Sequence, residues 1–138
     1  MKKLLFALFV VGMVLSACSS KGGAGSLVGD WKLTAYGPAD SPVPAVPDVE
    51  AVLNLSADGQ VSGSLGCNHF GGDYKQKGSQ IEFGSLAATL MACPEPQMLQ
   101  EGGAFKIMAG SADYKIEGRT LTITKDAEVL VFESVAQE

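Results

Sequence analysis

Most of the chain after about residue 27 alternates between apolar and polar positions with the two-residue period of half-buried β-strands. The alternation runs through residues 31–36 and 49–56. It resumes at Val61 after Ala57-Asp58-Gly59, a turn sequence that supplies a residue with positive φ. Shorter alternating stretches follow at residues 81–83, 114–116, 121–123 and 129–131. The pattern predicts six to eight short antiparallel strands joined by tight turns.

One segment departs from this alternation. Pro94-Glu95-Pro96 is typical of a helix start, because proline is tolerated in the first turn and an acid is stabilised by the positive helix end. Met98, Phe105 and Met108 then recur near helical spacing, which indicates a core-facing stripe. Gly102-Gly103 costs about 1 kcal/mol per residue relative to alanine, so we expect the helix to be short or split there. The predicted fold class is mainly β (α+β): a small curved antiparallel sheet or partial barrel of six to eight strands packed on one short helix.

The first 17 residues have the pattern of a secretion signal. Lys2 and Lys3 precede an apolar run over residues 4–15. As a helix this run spans about 18 Å, too short for the roughly 30 Å hydrocarbon core of a bilayer. The following Leu15-Ser16-Ala17-Cys18 resembles the lipobox of bacterial lipoproteins, which implies removal of residues 1–17 and acylation of Cys18. Several acyl chains at about 0.8 kcal/mol per buried CH₂ make a stable membrane anchor. An uncleaved signal anchor is the alternative.

Residues 18–26 are predicted to form a lipidated, flexible tether, because the stretch from Ser19 to Ser26 is rich in serine and glycine. The folded domain is then expected over residues 27–136. Under the sorting rule for lipoproteins of bacteria with two membranes, Ser19 directly after the acylated cysteine implies the outer membrane. We therefore expect a domain that is held at the outer membrane by palmitate and related acyl chains and faces the periplasm.

Removal of the signal changes the charge of the chain. Loss of Lys2 and Lys3 lowers the number of Lys and Arg residues from 10 to 8, against 15 Asp and Glu, so the mature net charge is −7. Such a surface repels nucleic acid and anionic headgroups, so we expect no nucleic-acid partner and membrane attachment through the lipid on Cys18. The phosphate-loop pattern does not occur, and glycine clusters such as Gly71-Gly72 are interpreted as turns. No cofactor is expected.

The single histidine lies two residues after a cysteine in Cys67-Asn68-His69. This tripeptide can be interpreted as a thiol nucleophile with its base, as part of a metal site, or as a turn held by a disulfide. With Cys18 acylated, Cys67 and Cys93 remain as an even pair in an oxidising compartment. This favours a Cys67–Cys93 disulfide, worth about 3.5 kcal/mol in the chain-entropy model. A disulfide leaves no thiolate for catalysis with His69, and zinc needs about four ligands where three are available. We expect no catalytic residue, no metal and no enzyme.

Four motifs in order resemble the META domain of HslJ-type bacterial lipoproteins. They are G-D-W-K-L at 29–33, G-S-L-G-C-N at 63–68, T-L-M-A-C-P at 89–94 and G-R-T-L-T-I at 118–123. The resemblance implies a small antiparallel sheet curved around one helix and an association with envelope stress and heat induction, without established catalytic residues. Many members carry a basic residue where this chain has Leu90. We accordingly expect a monomer that supports envelope integrity by binding a protein partner.

Two other function classes stay open. Gly29-Asp30-Trp31 also resembles the G-x-W that opens the first strand of lipocalins, which implies a barrel for a lipid or another hydrophobic ligand. About 110 residues is small for an eight-stranded barrel with an open cavity. The stretch from Tyr36 to Asp48 holds four of the six prolines and is expected to be extended. It suits either an inhibitor or docking module for another envelope protein or an ordinary surface loop.

Overall fold

The computed structural model describes residues 25–135, so the predicted signal, Cys18 and most of the tether lie outside the described residues. Within this range the elements are β1 (Gly29–Pro38), β2 (Val43–Pro44), β3 (Val52–Leu55), β4 (Gln60–Ser64), β5 (His69–Lys77), β6 (Gln80–Phe83), β7 (Ala87–Ala88), α1 (Glu95–Ile107), β8 (Ser111–Glu117), β9 (Thr120–Lys125) and β10 (Glu128–Ser134). Over residues 25–135, α1 is neither long nor apolar enough to cross a membrane.

Eight of these strands form one antiparallel barrel in the order β1-β3-β4-β5-β6-β8-β9-β10, and β10 pairs back onto β1. In that closing pair Trp31 lies opposite Ser134 and Pro38 opposite Glu128, with an irregularity after Leu33. The two-residue strands β2 and β7 pair with β1 and β5 outside this ring. The predicted fold class, mainly β with one short helix, is confirmed, and the sheet closes on itself.

The two ends of the barrel are built differently. One end, the turn end, carries the hairpin turns at residues 56–59, 77–80 and 117–120. Gly25 also lies there, because a Cβ on it would stand 2.8 Å from Ile116 Cγ2 and 3.8 Å from Gly118 O. The opposite end, the helix end, carries the β4–β5 connection at residues 65–68 together with α1. The chain therefore enters the barrel at the end away from α1.

The barrel interior is filled by side chains from every strand of the ring. The residues that are at most 1 % exposed include Leu53, Leu55, Val61, Leu65, Ile81, Leu121, Ile123, Leu130 and Phe132. Near the turn end Trp31 is buried and donates its Nε1–H to Leu27 O at 2.9 Å. In the described part of the chain the interior is thus a packed core, and Trp31 has the packing role that a G-x-W tryptophan implies.

The Gly71-Gly72 pair, interpreted above as a turn, lies within β5. Neither glycine has a positive φ. The chain after β6 crosses directly over β5, and a Cβ on Gly72 would stand 2.7 Å from Ser85 O and 2.8 Å from Leu86 Cδ2. Close approach of two backbone segments therefore explains the glycine, and the turn prediction was wrong.

The sequence predicted a helix that is short or split, and α1 is short and runs without interruption through Gly102-Gly103. The predicted core-facing stripe is right only in part. Met108 is fully buried, whereas Met98 is 41 % exposed. The buried residues within α1 are instead Gln100, Glu101, Ala104 and Ile107. Gln100 and Glu101 thus face the core, whereas the apolar pattern had predicted that Met98 would.

Candidate functional site

A disulfide joins Cys67 to Cys93 at the helix end, with the two Cα atoms 5.9 Å apart. It links the β4–β5 connection to the residue just before the Pro94 cap of α1. Since a bonded sulfur is not a thiolate, Cys67 cannot act as a nucleophile in this state. The chemistry of the disulfide is therefore structural, and it fixes where the chain enters α1.

Beneath the disulfide lies a buried polar network centred on Glu101, which is only 4 % exposed. Its Oε2 accepts from the backbone N–H of Cys67 at 3.0 Å and of Asn68 at 2.5 Å, and its Oε1 accepts from Asn68 Nδ2 at 2.6 Å. The turn can approach α1 this closely because residue 66 is glycine: a Cβ on Gly66 would stand 2.6 Å from Gln97 O. Glu101 thus satisfies backbone donors that would otherwise be buried without partners.

Asn68 extends this network from α1 to the segment before it. Its Oδ1 accepts from Thr89 Oγ1 at 3.0 Å and from the Met91 N–H at 2.7 Å. The Thr89 N–H in turn donates to His69 O at 3.0 Å, and the His69 N–H donates to Thr89 Oγ1 at 3.1 Å. The segment from Thr89 to Met91 is therefore held on both sides of residue 90.

The His69 side chain takes no part in this network and is exposed. It borders a surface depression of about 280 Å³ together with Glu50, Val52, Gly63 and Ser64. Between residues 25 and 135, no group of three or more His, Cys, Asp or Glu side chains is arranged to hold a metal ion. The structure thus places the histidine on the outer wall of the barrel.

An apolar groove of about 300 Å³ runs beside α1. It is lined by Gly84, Leu86, Ala88, Phe105, Met108 and Ala109. One wall is the segment from β6 to β7, and the other is the C-terminal half of α1. Phe105 packs edge-on against Phe70 of β5, with ring centroids 5.4 Å apart and an interplanar angle of 88°. This contact holds Phe105 in place at the groove.

The groove continues toward the start of α1. Met98 precedes Phe105 by seven residues, close to two helical turns, so both side chains lie along one side of α1. On the opposite wall the chain runs on from Ala88 to Leu90, and the Asn68 side chain keeps this run beside α1. Leu90 therefore follows one wall of the groove along the chain, and Met98 precedes the other along α1.

This extension is exposed and apolar. Leu90 is 99 % exposed, and Met91 and Met98 are 45 % and 41 % exposed. We call Leu86, Ala88, Leu90, Met91, Met98 and Phe105 the apolar face. Exposed large apolar side chains on neighbouring segments mark a candidate interaction site.

The proline-rich stretch 36–48 is tied to the barrel. Within it β2 pairs with Ala35 and Tyr36 of β1. The Val46 N–H donates to Gln100 Oε1 at 2.7 Å, and Gln100 Nε2 donates to Leu65 O at 2.8 Å. Backbone groups of this stretch are thus engaged by the barrel and by α1, which leaves fewer of them for another protein.

Gln100 and Glu101 are the two site residues that the sequence pattern did not identify. A polar pair one turn after a proline-initiated helix start looks like solvent-exposed surface. A signal was nevertheless present, because the disulfide brings the start of the helix to the turn at residues 65–68. That turn has backbone N–H groups and carbonyls that require partners.

Similar proteins place the chain in a family. The family model of the META domain matches residues 26–137, which include every strand and α1. The chain belongs to the META domain family. The resemblance drawn from the four sequence motifs is thereby confirmed. No curated protein matches the chain.

Solved structures share the fold of this META domain. An NMR structure of a protein from Burkholderia xenovorans is 28 % identical, with a TM-score of 0.66, and the alignment covers 79 % of this chain and 83 % of that one. A second NMR structure is 21 % identical over 77 % and 88 % of the two chains, with a TM-score of 0.62. A DUF4847-family protein from Bacteroides vulgatus is 13 % identical over 80 % and 94 %, with a TM-score of 0.56. The latter two likenesses concern the fold alone.

Proposed function

We propose that this META-domain protein is a non-catalytic, lipid-anchored module of the bacterial envelope that binds another envelope protein through the apolar face. The observation that carries the proposal is Leu90, which is 99 % exposed between two residues held by hydrogen bonds. Burial of a leucine side chain contributes about 1.5–3 kcal/mol. Because the hydrogen-bonded segment keeps Leu90 in water, this free energy does not stabilise the free protein. It becomes available to the complex when a partner covers Leu90.

The position of Gly25, where the described part of the chain begins, favours a protein partner over the anchoring membrane as the occupant of the apolar face. Gly25 lies at the turn end, and six residues lie between it and Cys18, which makes seven steps from Cα to Cα. Such a segment spans at most about 25 Å. With Cys18 acylated, the short tether holds the turn end toward the bilayer, and the apolar face at the helix end is directed away from it.

Residues 19–24 and 136–138, which flank the described part of the chain, are poor occupants of the apolar face. Residues 19–24 read S-S-K-G-G-A and residues 136–138 read A-Q-E, so neither offers a large apolar side chain. Val135, after which the second segment starts, donates its N–H to Asp30 O near the turn end. These two stretches therefore offer no apolar side chain that competes with a partner for the apolar face.

A location at the outer membrane and a role in envelope stress or envelope integrity belong to the same proposal. Their support is the lipobox-like Leu15-Ser16-Ala17-Cys18, the following Ser19 and the family association. A mature net charge of −7 fits this role, since it keeps the domain off the anionic bilayer surface while the lipid anchors it.

A hydrophobic small ligand is the second candidate, and the groove favours it. The groove volume of about 300 Å³ lies at the lower limit of typical ligand pockets, roughly 300–1,000 Å³. A short acyl chain is of a size that this groove can accept. In this second function the protein is a carrier, and the apolar face is its ligand entrance.

Site-specific photocrosslinking in intact cells tests the proposal. A benzophenone amino acid replaces Leu90 in one variant and Ser79, an exposed residue of the turn end, in the matched control. We expect a discrete protein adduct from position 90 that is absent from position 79 and that disappears when Met98→Gln is added. A lipid adduct at position 90 would support the ligand carrier instead, and equal adducts at both positions would contradict a specific face.

A further inference from the structure

We propose that the apolar face accepts its partner as an extended peptide that adds a strand to the free edge of β7. The inference rests on the proposed function and specifies the conformation of the bound segment. It follows from where β7 lies in the sheet and from which of its backbone groups are engaged.

Within residues 25–135, β7 pairs with β5 on one side only. Ala88 lies opposite Phe70, and the next pair along the ladder is hydrogen bonded through the Thr89 N–H and His69 O at 3.0 Å. In an antiparallel ladder, alternate residues direct their N–H and C=O groups to opposite sides. Since Thr89 faces β5, the backbone groups of Ala88 and Leu90 face away from it.

The side that Ala88 and Leu90 face is the groove. The barrel is weakest there, because β6 and β8 share only the pairs from Gln80↔Asp113 to Glu82↔Ser111. The last hydrogen bond between these segments joins the Phe83 N–H to Gly110 O at 3.0 Å, and beyond it the groove opens between the β6–β7 segment and α1. An edge of unpaired N–H and C=O groups therefore borders an apolar channel, which is the arrangement used in strand addition.

The same geometry defines the sequence of the bound segment. Side chains of a strand alternate between two faces, so every second residue of the added peptide is directed at Phe105 and Met98 and the others at solvent. We infer a partner segment with alternating apolar and polar residues. A proline at a residue that pairs with Ala88 is excluded, because it cannot donate to the ladder.

A second copy of this chain is the competing occupant, through pairing of one β7 edge with another. Each copy carries a net charge of −5 over the full sequence, and like charge opposes association of one copy with another. β2 is unsuited to the role, since one of its two residues is Pro44. The inference therefore commits to a segment of a different protein.

A phage-displayed library of random seven-residue peptides, selected on the purified domain, provides the probe. We expect the selected peptides to show alternating apolar residues and to compete with one another. N-methylation of one alternate set of their amides should weaken binding at least tenfold, whereas methylation of the other set should leave it within about threefold. The first set faces β7 and the second faces away.

The matching test changes the protein strand β7 instead of the peptide, in a pair of variants at Ala88. Ala88→Pro removes the N–H that faces the groove and keeps the Thr89 bond to β5, whereas Ala88→Ser retains the donor. We expect at least a tenfold loss of peptide affinity for Ala88→Pro and little change for Ala88→Ser. Circular dichroism and the urea midpoint establish that both variants are folded.

The outcomes separate the two proposals. Peptides that require Leu90 and Met98 yet ignore N-methylation would overturn strand addition and leave the proposed function standing. Peptides that bind equally well to a Leu90→Gln, Met98→Gln variant, or a selection that yields none, would overturn both. A dimer that the selected peptides do not dissociate, with its contact at β7, would overturn strand addition in favour of self-association.

Discussion

The two ends of this META domain are closed by different physical means. At the turn end, Trp31 seals the core by apolar burial, and the chain reverses in short hairpins. At the helix end, α1 is held by a disulfide and by buried polar groups, chiefly Glu101 and Gln100. The apolar surface that could have covered this end, including Leu90 and Met98, is left in water.

This difference is consistent with the binding role proposed for the helix end. Apolar packing would be the simpler way to hold α1, because a buried carboxyl group needs several well-placed donors. A covalent bond and a hydrogen-bond network hold the same segment without using the apolar face. The helix end can therefore be rigid and still offer apolar side chains to a partner.

Glu101→Ala is expected to have the largest effect on stability. It leaves the N–H groups of Cys67 and Asn68 and the Asn68 amide without their acceptor in a buried site. We expect a loss of about 3–5 kcal/mol in the free energy of unfolding, measured by urea titration. The control Glu95→Ala, at an exposed residue of the same helix, should cost no more than about 1 kcal/mol. Equal effects of the two variants would contradict the role given to Glu101.

Removal of the disulfide in the double variant Cys67→Ser, Cys93→Ser should lower the free energy of unfolding by about 3.5 kcal/mol in the chain-entropy model. The structure should loosen first near the missing disulfide, so we expect faster proteolysis of the segment around Leu90 than of the turn-end hairpins. Limited proteolysis with mass analysis measures this order. Simultaneous cleavage at both ends would show that the disulfide does not act on the helix end in particular.

At the turn end, Trp31→Phe should destabilise the protein by about 1–3 kcal/mol, because Leu27 O loses its donor while remaining buried. Binding at the helix end should be unaffected once the protein is folded. Measuring the free energy of unfolding and the peptide affinity of the same variant checks both statements. A loss of affinity larger than threefold would mean that the two ends are coupled.

The smallest predicted effect is on the pH dependence of stability, through Tyr74 at the turn end. Burial, and then the charge of Asp58, raise the pKa of Tyr74, whose hydroxyl donates to Ser56 O at 2.9 Å. The folded protein therefore keeps the phenol proton to higher pH than the unfolded chain, which titrates near 10. Its stabilising contribution is present below about pH 10 and is lost as the pH rises through the folded-state pKa. Tyr74→Phe should reduce the alkaline loss of stability in urea titrations, and an unchanged pH profile would contradict this assignment.

Much of the barrel could be predicted from the sequence. Alternation identified the strands that bury Trp31 and Leu33, or Leu53 and Leu55, because a period of two reports directly which face of a strand is apolar. It could not identify the pairing of β1 with β10, since a strand pattern carries no information about its partner. The glycine pair Gly71-Gly72 was wrongly interpreted as a turn, because the close approach of Ser85 to Gly72 is a tertiary contact that the local sequence does not reveal.

The candidate site was harder to predict than the barrel. The pattern correctly drew attention to Cys67-Asn68-His69 and to the helix start, but it assigned Met98 to the core and left Glu101 unremarked. Apolar periodicity predicts burial by transfer from water. It cannot anticipate a polar side chain that is buried because another element supplies its hydrogen-bond partners, or an apolar side chain that stays exposed.

The double variant Leu90→Gln, Met98→Gln tests most directly whether the apolar face serves binding and not folding. Met98→Gln keeps side-chain length, and glutamine is nearly as good a helix former as methionine. Leu90 lies outside α1 and is 99 % exposed, so Leu90→Gln removes no buried contact. We predict a free energy of unfolding within about 1 kcal/mol of the parent protein and at least a hundredfold loss of affinity for the selected peptides. A loss of several kcal/mol in stability, or unchanged peptide binding, would contradict the account.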